Sequence, residues 1–390
     1  MPAPLEGITV LDFTRYQNGP HATVMLSDMG ARVIKVEQPN EGDPGRWLGR
    51  QPDGFCGYFE ALDRGKESIT LDLRNEQAKE IVFQLVERVD VVTENFRRGV
   101  MDRLGIGYEA LRERNPQIIY AMNSGFGPQG PLANLPSFDI VAQGISGAMA
   151  GMAGEDGVPT QLPWGLADQV GSMVFAYGIV TGIAARELHG VGQRIDVSQM
   201  GAMATLQTLS IVRYLHTGEQ GARFRNPLFT AYEASDGRWL TIGVLTPKWW
   251  GGLCTALDRT DLITDERFAE PFARFEHRDE LWSQFVSIFR TRPRDEWLRA
   301  LEEHDVPCGP VYDYEELSAE QQFWDNDYLV ELDHPLFEGH RTVGIPVAFS
   351  ETQPRVQGPA PELGADNAAV LSELGYDADA IADLAANGVI

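Results

Sequence analysis

Asp168 is the side chain in this sequence best placed to do chemistry. It lies in the run LPWGLADQVGSM, where a long apolar helix begins. Two readings of it are open. As an N-cap, its carboxylate accepts amide hydrogens of the first helical turn. As a nucleophile, it is held ionised by the positive end of the same helix and attacks an acyl carbon. Both place the side chain at the helix N-terminus. A second feature is basic. Arg97, Arg98 and Arg103 stand in the run ENFRRGVMDRLG, with Arg64, Lys66 and Arg74 upstream at strand ends. Guanidinium forks match phosphate oxygens, so the cluster reads as a phosphate contact. A solvated helix face is the alternative. Gly125, Gly127 and Gly130 form a GxGxxG, but Pro128 and Pro131 interrupt the helix that a dinucleotide fingerprint requires. A tight glycine loop is the better reading. The seven histidines show no metal-ligand spacing, and no GxSxG is present. Cys308, between prolines in VPCGP, reads as a rigid loop thiol. Arg223 and Arg225 are candidates for a second carboxylate, and Trp249 and Trp250 for an apolar pocket. Solvation and packing are the simpler accounts of these four.

The elements that must position these residues alternate between strand and helix. Residues 8–13, 32–37, 69–73, 89–92 and 117–122 read as apolar strands, with helical periodicity between them. Asn75 is a candidate N-cap before Ile81, Val82, Leu85, Val86 and Val89 on one face. Such alternation predicts an α/β fold with a parallel sheet covered on both sides. Ligands bind such sheets at the carboxyl ends of the strands. From Ala167 the residues Val170, Met173, Val174, Tyr177, Val180, Ala184 and Leu188 keep helical spacing. Residues 194–198 (RIDVS) form a further strand, and a second long helix runs to about Val212. Residues 215–228 read as a polar, Gly-rich linker. A hairpin over 230–244 turns at Asp236-Gly237, and helices dominate about 248–304. Two short amphipathic helices close the chain from about Leu363.

Composition narrows the class. The chain has 390 residues, with 43% hydrophobic and 23% charged, which is globular usage. The net charge of −25 repels nucleic acid and anionic membrane, so any polyanion must meet a local basic patch. Three scattered cysteines support neither a disulfide framework nor a zinc site. There is no basic, apolar leader and no uncharged apolar run of about 18 residues, so a cytoplasmic protein that spans no membrane is expected.

Several collinear blocks carry a resemblance: VLDFTRYQNGP, GARVIKVEQP, KESITLDL, ENFRRGVMDRLG, SGFGPQGP, FDIVAQGISG, GLADQVGSM, GQRIDVSQ, VPCGPV and ELGYDADAIADLAANGVI. Together they resemble the class III coenzyme A transferases, the group of formyl-CoA transferase and carnitine CoA-transferase, with alpha-methylacyl-CoA racemase as a relative. The resemblance implies that Asp168 is the catalytic aspartate and that Gln17 lies near the thioester. It implies that Asn95, Phe96 and Arg103 hold coenzyme A, with Arg97 in the same block and Leu71 and Arg74 close by. Phe138 and Asp139 match an aromatic–acidic pair beside the active site. The implied fold is a Rossmann-like large domain (1–214 and 321–390), a linker (215–228) and a smaller inserted α+β domain (229–320), assembled as an interlocked homodimer. The implied reaction moves coenzyme A from an acyl-CoA to a free carboxylic acid through aspartyl anhydride and aspartyl-CoA intermediates. Acyl-CoA is then substrate, with no tightly bound cofactor and no metal. Racemisation of a 2-methylacyl-CoA, intramolecular transfer and idle acyl-CoA binding are the alternatives.

Three departures refine these expectations. Some members carry an arginine where Gln38 stands. The glycine-rich flap of formyl-CoA transferase has no counterpart in TIGVLTPKWWGGL, which disfavours a formyl/oxalyl substrate pair. The racemase branch has a histidine where Phe138 stands, and a racemase needs two opposed bases. Arg103→Ala is expected to raise KM for acyl-CoA about 5- to 10-fold, the worth of one solvent-screened charge contact, with less effect on kcat. Steady-state kinetics check this, and an unchanged KM removes Arg103 from the binding residues.

Overall fold

The structure is a computed structural model that describes residues 1–154, 156–219 and 226–390. Arg223 and Arg225 lie outside the described residues. The chain divides into two compact units, Met1–His216 with Trp324–Ile390, and Thr217–Phe323.

The first unit is built on a parallel sheet. Its strands are β1 (Thr9–Asp12), β2 (Arg32–Glu37), β3 (Glu67–Thr70), β4 (Val91–Glu94), β5 (Ile119–Ser124) and β6 (Gln193–Ser198), in the order β3-β2-β1-β4-β5-β6. Register is set by pairs such as Val10↔Val33, Val10↔Val91 and Ile119↔Gln193. Side chains alternate across the sheet, so neighbouring residues feed opposite cores. Leu11, Ile34, Val92 and Tyr120 face one core, filled by α3 (Glu76–Val86), α5 (Tyr108–Arg114) and the tail helices Asn367–Glu373 and Ala378–Ala386. Val10, Val33, Val91 and Ile119 face the other, filled by α1 (Asn18–Asp28) and α8 (Leu166–His189). The remaining helices of this unit up to residue 217 are α2 (Gly57–Asp63), α4 (Val100–Leu104), α6 (Asp139–Ile145), α7 (Ala148–Gly151), α9 (Gln199–Leu206) and α10 (Thr208–Thr217). Asn75 caps α3 by accepting the Gln77 amide at 2.8 Å.

Some sequence boundaries move. β4 starts at Val91, although the Asp90 backbone still donates to the Thr9 carbonyl at 2.9 Å and accepts the Ile119 amide at 3.0 Å, while its carboxylate accepts the Thr9 amide at 2.8 Å and pairs with Arg186. The segment from residue 215 is not all linker, because α10 continues to Thr217. The helix expected to reach Val212 breaks at Gln207 into α9 and α10. The sequence holds no uncharged apolar run of 18 residues, but one helix meets a looser test that admits two charges. An 18-residue window of the 24-residue α8 has mean hydropathy 1.3, enough to cross a membrane by length and composition only. The helix carries Asp168 and Arg186, and its inner face packs on α1, β5 and β6.

A buried ion lattice sits at the carboxyl ends of β1 and β2. Lys35 Nζ donates to Asp43 Oδ2 at 2.8 Å and to the Thr14 carbonyl at 3.0 Å. Lys66 Nζ donates to Asp63 Oδ1 at 2.7 Å and lies 3.3 Å from Asp12 Oδ2. Both lysine side chains are fully buried. Burial alone would raise the Asp12 carboxyl, but Lys66, Lys35 and the Thr14 and Thr23 hydroxyls outweigh it and hold it at about 2. Its share of stability is in place above the ordinary carboxylate range and is lost as pH falls toward 2. Lys66 and Arg64 are therefore not part of a phosphate-facing patch. Lys66 is enclosed by carboxylates, and Arg64 pairs with Asp28 at 2.6 Å. Charge pattern alone cannot separate a cation on the surface from one wrapped by aspartates that converge from other elements.

The second unit has an antiparallel hairpin, β7 (Phe229–Glu233) and β8 (Trp239–Gly243), turning at Asp236-Gly237, with β9 (Cys308–Pro310) on β8. Its core gathers Trp250, Leu253, Phe285, Phe289 and Trp297, with Trp249 packed against it. Packing therefore accounts for both tryptophans. Cys56, Cys254 and Cys308 are free thiols, and burial pushes Cys308 up to about 11.

Replacing Lys66 by Met leaves Asp12 and Asp63 with an uncompensated buried charge. A loss of about 3–5 kcal/mol is expected. Urea unfolding measures it, and a loss below about 1 kcal/mol would show the lattice to be structurally idle.

Candidate active site

Two cavities open at the carboxyl ends of the first unit's strands. One, of about 280 Å³, is lined by Phe13, Arg15, Gln38, Leu71, Arg74, Phe96, Val100 and Leu104 among others. The other, of about 350 Å³, is lined by Arg15, Tyr16, Gln17, Asn95, Phe96, Arg97, Phe138, Asp168 and Gln199 among others. Arg15 and Phe96 belong to both. Gln17, Asn95, Phe96, Arg97, Phe138 and Asp168 thus come together in the second cavity, and Leu71, Arg74 and Phe96 in the first. Arg103 and Asp139 line neither. Arg103 is exposed on α4, whose Val100 and Leu104 face the first cavity. Arg74 is bridged to Asp72 at 2.8 Å, and its side chain is 76% exposed.

The loop after β1 forms one wall. Tyr16 adopts φ 63°, a left-handed conformation that costs a non-glycine residue about 1–2 kcal/mol. It is held there by its amide, which donates to Asp43 Oδ1 at 3.0 Å. Asn95 pins the neighbouring residue from both sides, accepting the Arg15 amide at 2.9 Å and donating to the Arg15 carbonyl at 2.8 Å. The Gln17 side chain donates to the Trp164 carbonyl at 2.9 Å. Trp164 also lies in the left-handed region, and so does Gly165, the residue that begins α8. A Cβ on Gly165 would stand 2.7 Å from the Gln17 amide, so a side chain there would push Gln17 out of its place. Across the cavity, the Tyr16 and Phe138 rings meet edge to face at 5.9 Å.

Asp168 is not the N-cap of α8. Gly165 holds that position, and Asp168 is the third residue of the helix. The amides of Ala167 and Asp168 donate instead to Asp139 Oδ1, at 2.7 and 3.2 Å. Asp139 Oδ2 accepts from Gln143 at 2.6 Å. Asp139 therefore takes the helix end, and the reading of a nucleophile held ionised by that end is corrected. Burial first, then the Asp139 carboxylate, push the Asp168 carboxyl up to about 7, against a hydrogen bond from Gln199. Gln199 Nε2 donates to Asp168 Oδ1, and Ser137 Oγ donates to Gln199 Oε1 at 3.1 Å. Gly125, also on this cavity, has no room for a side chain, since a Cβ would lie 2.2 Å from Ser137 Cβ.

Gln199, Arg15 and Tyr16 escaped the sequence reading. A signal for Gln199 existed, because it directly follows the strand read at 194–198, at the sheet edge where ligands bind. Arg15 and Tyr16 directly follow β1 in the same way. Among the described residues, no cluster of three or more His, Cys, Asp and Glu is arranged to hold a metal ion. Arg98 is joined to Asp196 at 3.3 Å, whereas the Arg15, Arg97 and Arg103 guanidiniums have no ion-pair partner among the described residues.

A reachable carboxylate raised toward neutrality thus stands at strand ends beside free guanidiniums on a doubly covered parallel sheet. Comparison with known proteins gives the family of the chain. The family model for CoA-transferase family III matches residues 5–367, and the chain belongs to that family. It is 36% identical over 378 residues to an acetyl-CoA:oxalate CoA-transferase of Acetobacter aceti, covering 95% of each chain. It is 33% identical over 387 residues to a succinyl-CoA:mesaconate CoA-transferase of Haloarcula marismortui, covering 96% of this chain and 97% of the relative. Among solved structures, a CAIB/BAIF family protein from Brucella suis superposes with a TM-score of 0.86 at 32% identity, over 96% of this chain and 100% of that one. The protein is a CoA-transferase, and CoA thioesters are the substrates of its family.

A nucleophilic role for Asp168 would require its carboxylate form. The kcat/KM for transfer is therefore expected to rise with pH through about 7. Asp139→Asn keeps an oxygen for the helix amides and removes the like charge, so the rising limb moves to lower pH. pH–rate profiles of the two proteins check this, and superimposed profiles would remove Asp139 from the groups that tune Asp168.

Proposed function

We propose that this chain moves coenzyme A from an acyl-CoA donor to a free carboxylic acid, with Asp168 as covalent relay. The Asp168 carboxylate attacks the donor carbonyl and expels CoA thiolate, giving a mixed anhydride. The thiolate attacks the aspartyl carbonyl, releasing the donor acid and leaving an aspartyl-CoA thioester. The acceptor carboxylate attacks that thioester, and thiolate leaves again. The thiolate then attacks the acceptor carbonyl, forming the new acyl-CoA and freeing Asp168. The cycle consumes no net proton, and the thioester energy passes from one acid to the other.

The observation that carries this reading is Asp168, partly buried yet on the wall of the second cavity, with no helix amide to quench it. A carboxylate raised toward neutrality is a stronger nucleophile once ionised. Near-attack placement of the reactants supplies much of the rate, about 7–11 kcal/mol in favourable cases. Water has to be kept out, because an anhydride hydrolyses. Coenzyme A is longer than either cavity alone, and the junction at Arg15 and Phe96 lets it run from one into the other. In this reading Arg74, Arg97 and Arg103 meet the phosphate end, while Gln17, Asn95 and Phe138 surround the thioester. The unpaired guanidinium of Arg15 fits an acid that keeps a second carboxylate. The relatives named for oxalate and mesaconate point the same way. The same reading includes a Rossmann-like CoA-binding domain over 1–214 and 321–390, a small inserted α+β domain over 229–320 joined through 215–228, and an interlocked homodimer.

Racemisation gains no support from the site. A second base would have to face Asp168 across the substrate, and Asp139, the carboxylate tied to it, does not line the cavity and is committed to the helix amides.

Asp168→Ala should abolish transfer while the protein stays folded by circular dichroism. In the unaltered protein, hydroxylamine with acyl-CoA should inactivate and leave a hydroxamate on Asp168, seen by peptide mass spectrometry. An active Asp168→Ala protein, or hydroxylamine resistance with no mass change, would end this mechanism. Entry of solvent deuterium at the α-carbon without an acceptor acid would restore racemisation.

A further inference from the structure

We propose that Gln199 is a catalytic residue of this transferase, the donor that stabilises negative charge on Asp168 Oδ1 whenever the aspartyl carbonyl is attacked. The inference rests on the reading of Asp168 as the covalent relay. Gln199 is the first residue of α9, delivered to the cavity by the end of β6, and is 5% exposed. Its amide has a defined orientation. Ser137 Oγ donates to the Oε1 end at 3.1 Å, which turns Nε2 toward Asp168 Oδ1. Ser198, one residue earlier, caps α9 by accepting the Gly201 amide at 3.1 Å, and the Met200 amide donates to the Gly125 carbonyl at 3.1 Å. The backbone on both sides of Gln199 is therefore fixed.

The two oxygens of Asp168 have different surroundings. Oδ1 is held by Gln199, whereas Oδ2 accepts no hydrogen bond among the described residues and is not sealed from the cavity. Oδ2 is thus the attacking atom, and it becomes the bridging oxygen of the anhydride. Oδ1 becomes the carbonyl oxygen of the acylated aspartate. When thiolate adds to the aspartyl carbon, the C–S bond forms and the π electron pair moves onto Oδ1. The pair returns as the donor carboxylate departs with the bridging oxygen. When the acceptor carboxylate adds to the thioester, charge gathers on Oδ1 again and returns as the C–S bond breaks. Both additions place the oxyanion on the atom that Gln199 already holds.

The helix end cannot serve in its place. The Ala167 and Asp168 amides are committed to Asp139. The charged and titratable groups facing Asp168 are Asp139 from α6, Tyr58 from α2, and Arg15, Tyr16, Arg97 and Arg98 around the cavity. None of these is hydrogen-bonded to Oδ1 among the described residues.

Loss of one preorganised oxyanion donor typically costs about 10²–10³ in turnover. The test uses the full-length protein and labelled acetyl-CoA without acceptor acid, reading the burst of labelled acetate released per active site. Gln199→Met should slow that burst by about 10²–10³-fold while acetyl-CoA binding, by calorimetry, stays within about threefold. Ser137→Ala, which frees the amide to swing, should slow it by a smaller factor, and it carries the test alone if Gln199→Met does not fold. Asp168→Asn is run in parallel. If Asp168→Asn is inactive but Gln199→Met, or failing that Ser137→Ala, releases acetate as fast as the unaltered protein, the Gln199 assignment falls and the relay stands. If Asp168→Asn still releases acetate, the relay itself falls.

Discussion

The site depends on a carboxylate that is denied the stabilisation closest to it. Asp168 stands in the first turn of α8, where free amides would normally lower an acid, yet Asp139 occupies those amides. A helix end is worth about half a unit charge, and a bystander uses it up. Among the described residues Asp168 keeps only the Gln199 amide, and it is pushed toward neutrality by burial and by its neighbour. Two adjacent carboxylates thus meet different surroundings. One anchors the helix and the other stays clear of it. If Asp168 capped α8 itself, its lone pairs would be engaged before any thioester arrived.

The opposite wall is held by different means. The loop after β1 presents Tyr16 in a conformation that most residues avoid, and it stays there because its amide reaches Asp43 and the Thr14 carbonyl reaches Lys35. Those two groups belong to the buried lattice with Asp12, Asp63 and Lys66. Such a lattice is a weak source of net stability because each ion loses its hydration. Its Asp43 and Lys35 also hydrogen-bond the backbone of the loop that leads to Gln17. The backbone strain of the site and the charges of the core are two parts of one arrangement.

Much of this architecture was legible in the sequence. Val10 and Leu11, adjacent and both apolar, already implied a sheet covered on two faces, and they feed opposite cores. The position of Asp168 at the head of a long helix was also legible. Its partner was not, because Asp139 caps that helix from 28 residues upstream and no local pattern links them. Lys66 looked like one more strand-end cation, since its burial exists only where separate aspartates converge. Gln199 looked like an ordinary helix start, and only the fold gives it a carboxylate. What stayed hidden was long-range pairing between polar groups. Hydrophobic periodicity records which face is buried and carries no information about which donor meets which acceptor.

The two walls of the second cavity are held differently. The β1 loop is tied through Asp43 and Asn95 into the interior. Facing it, Leu135 and Phe138 stand 52% and 62% exposed, and the Ser137 side chain holds to the interior through Gln199. If the acids bind here as proposed, room for a larger one would have to come from the exposed 135–138 strip. Because Ser137 shares that strip with the Gln199 tether, a swollen guest would loosen the grip on Asp168 as it entered. Size discrimination would then be felt in turnover as well as in affinity, with no separate gate needed.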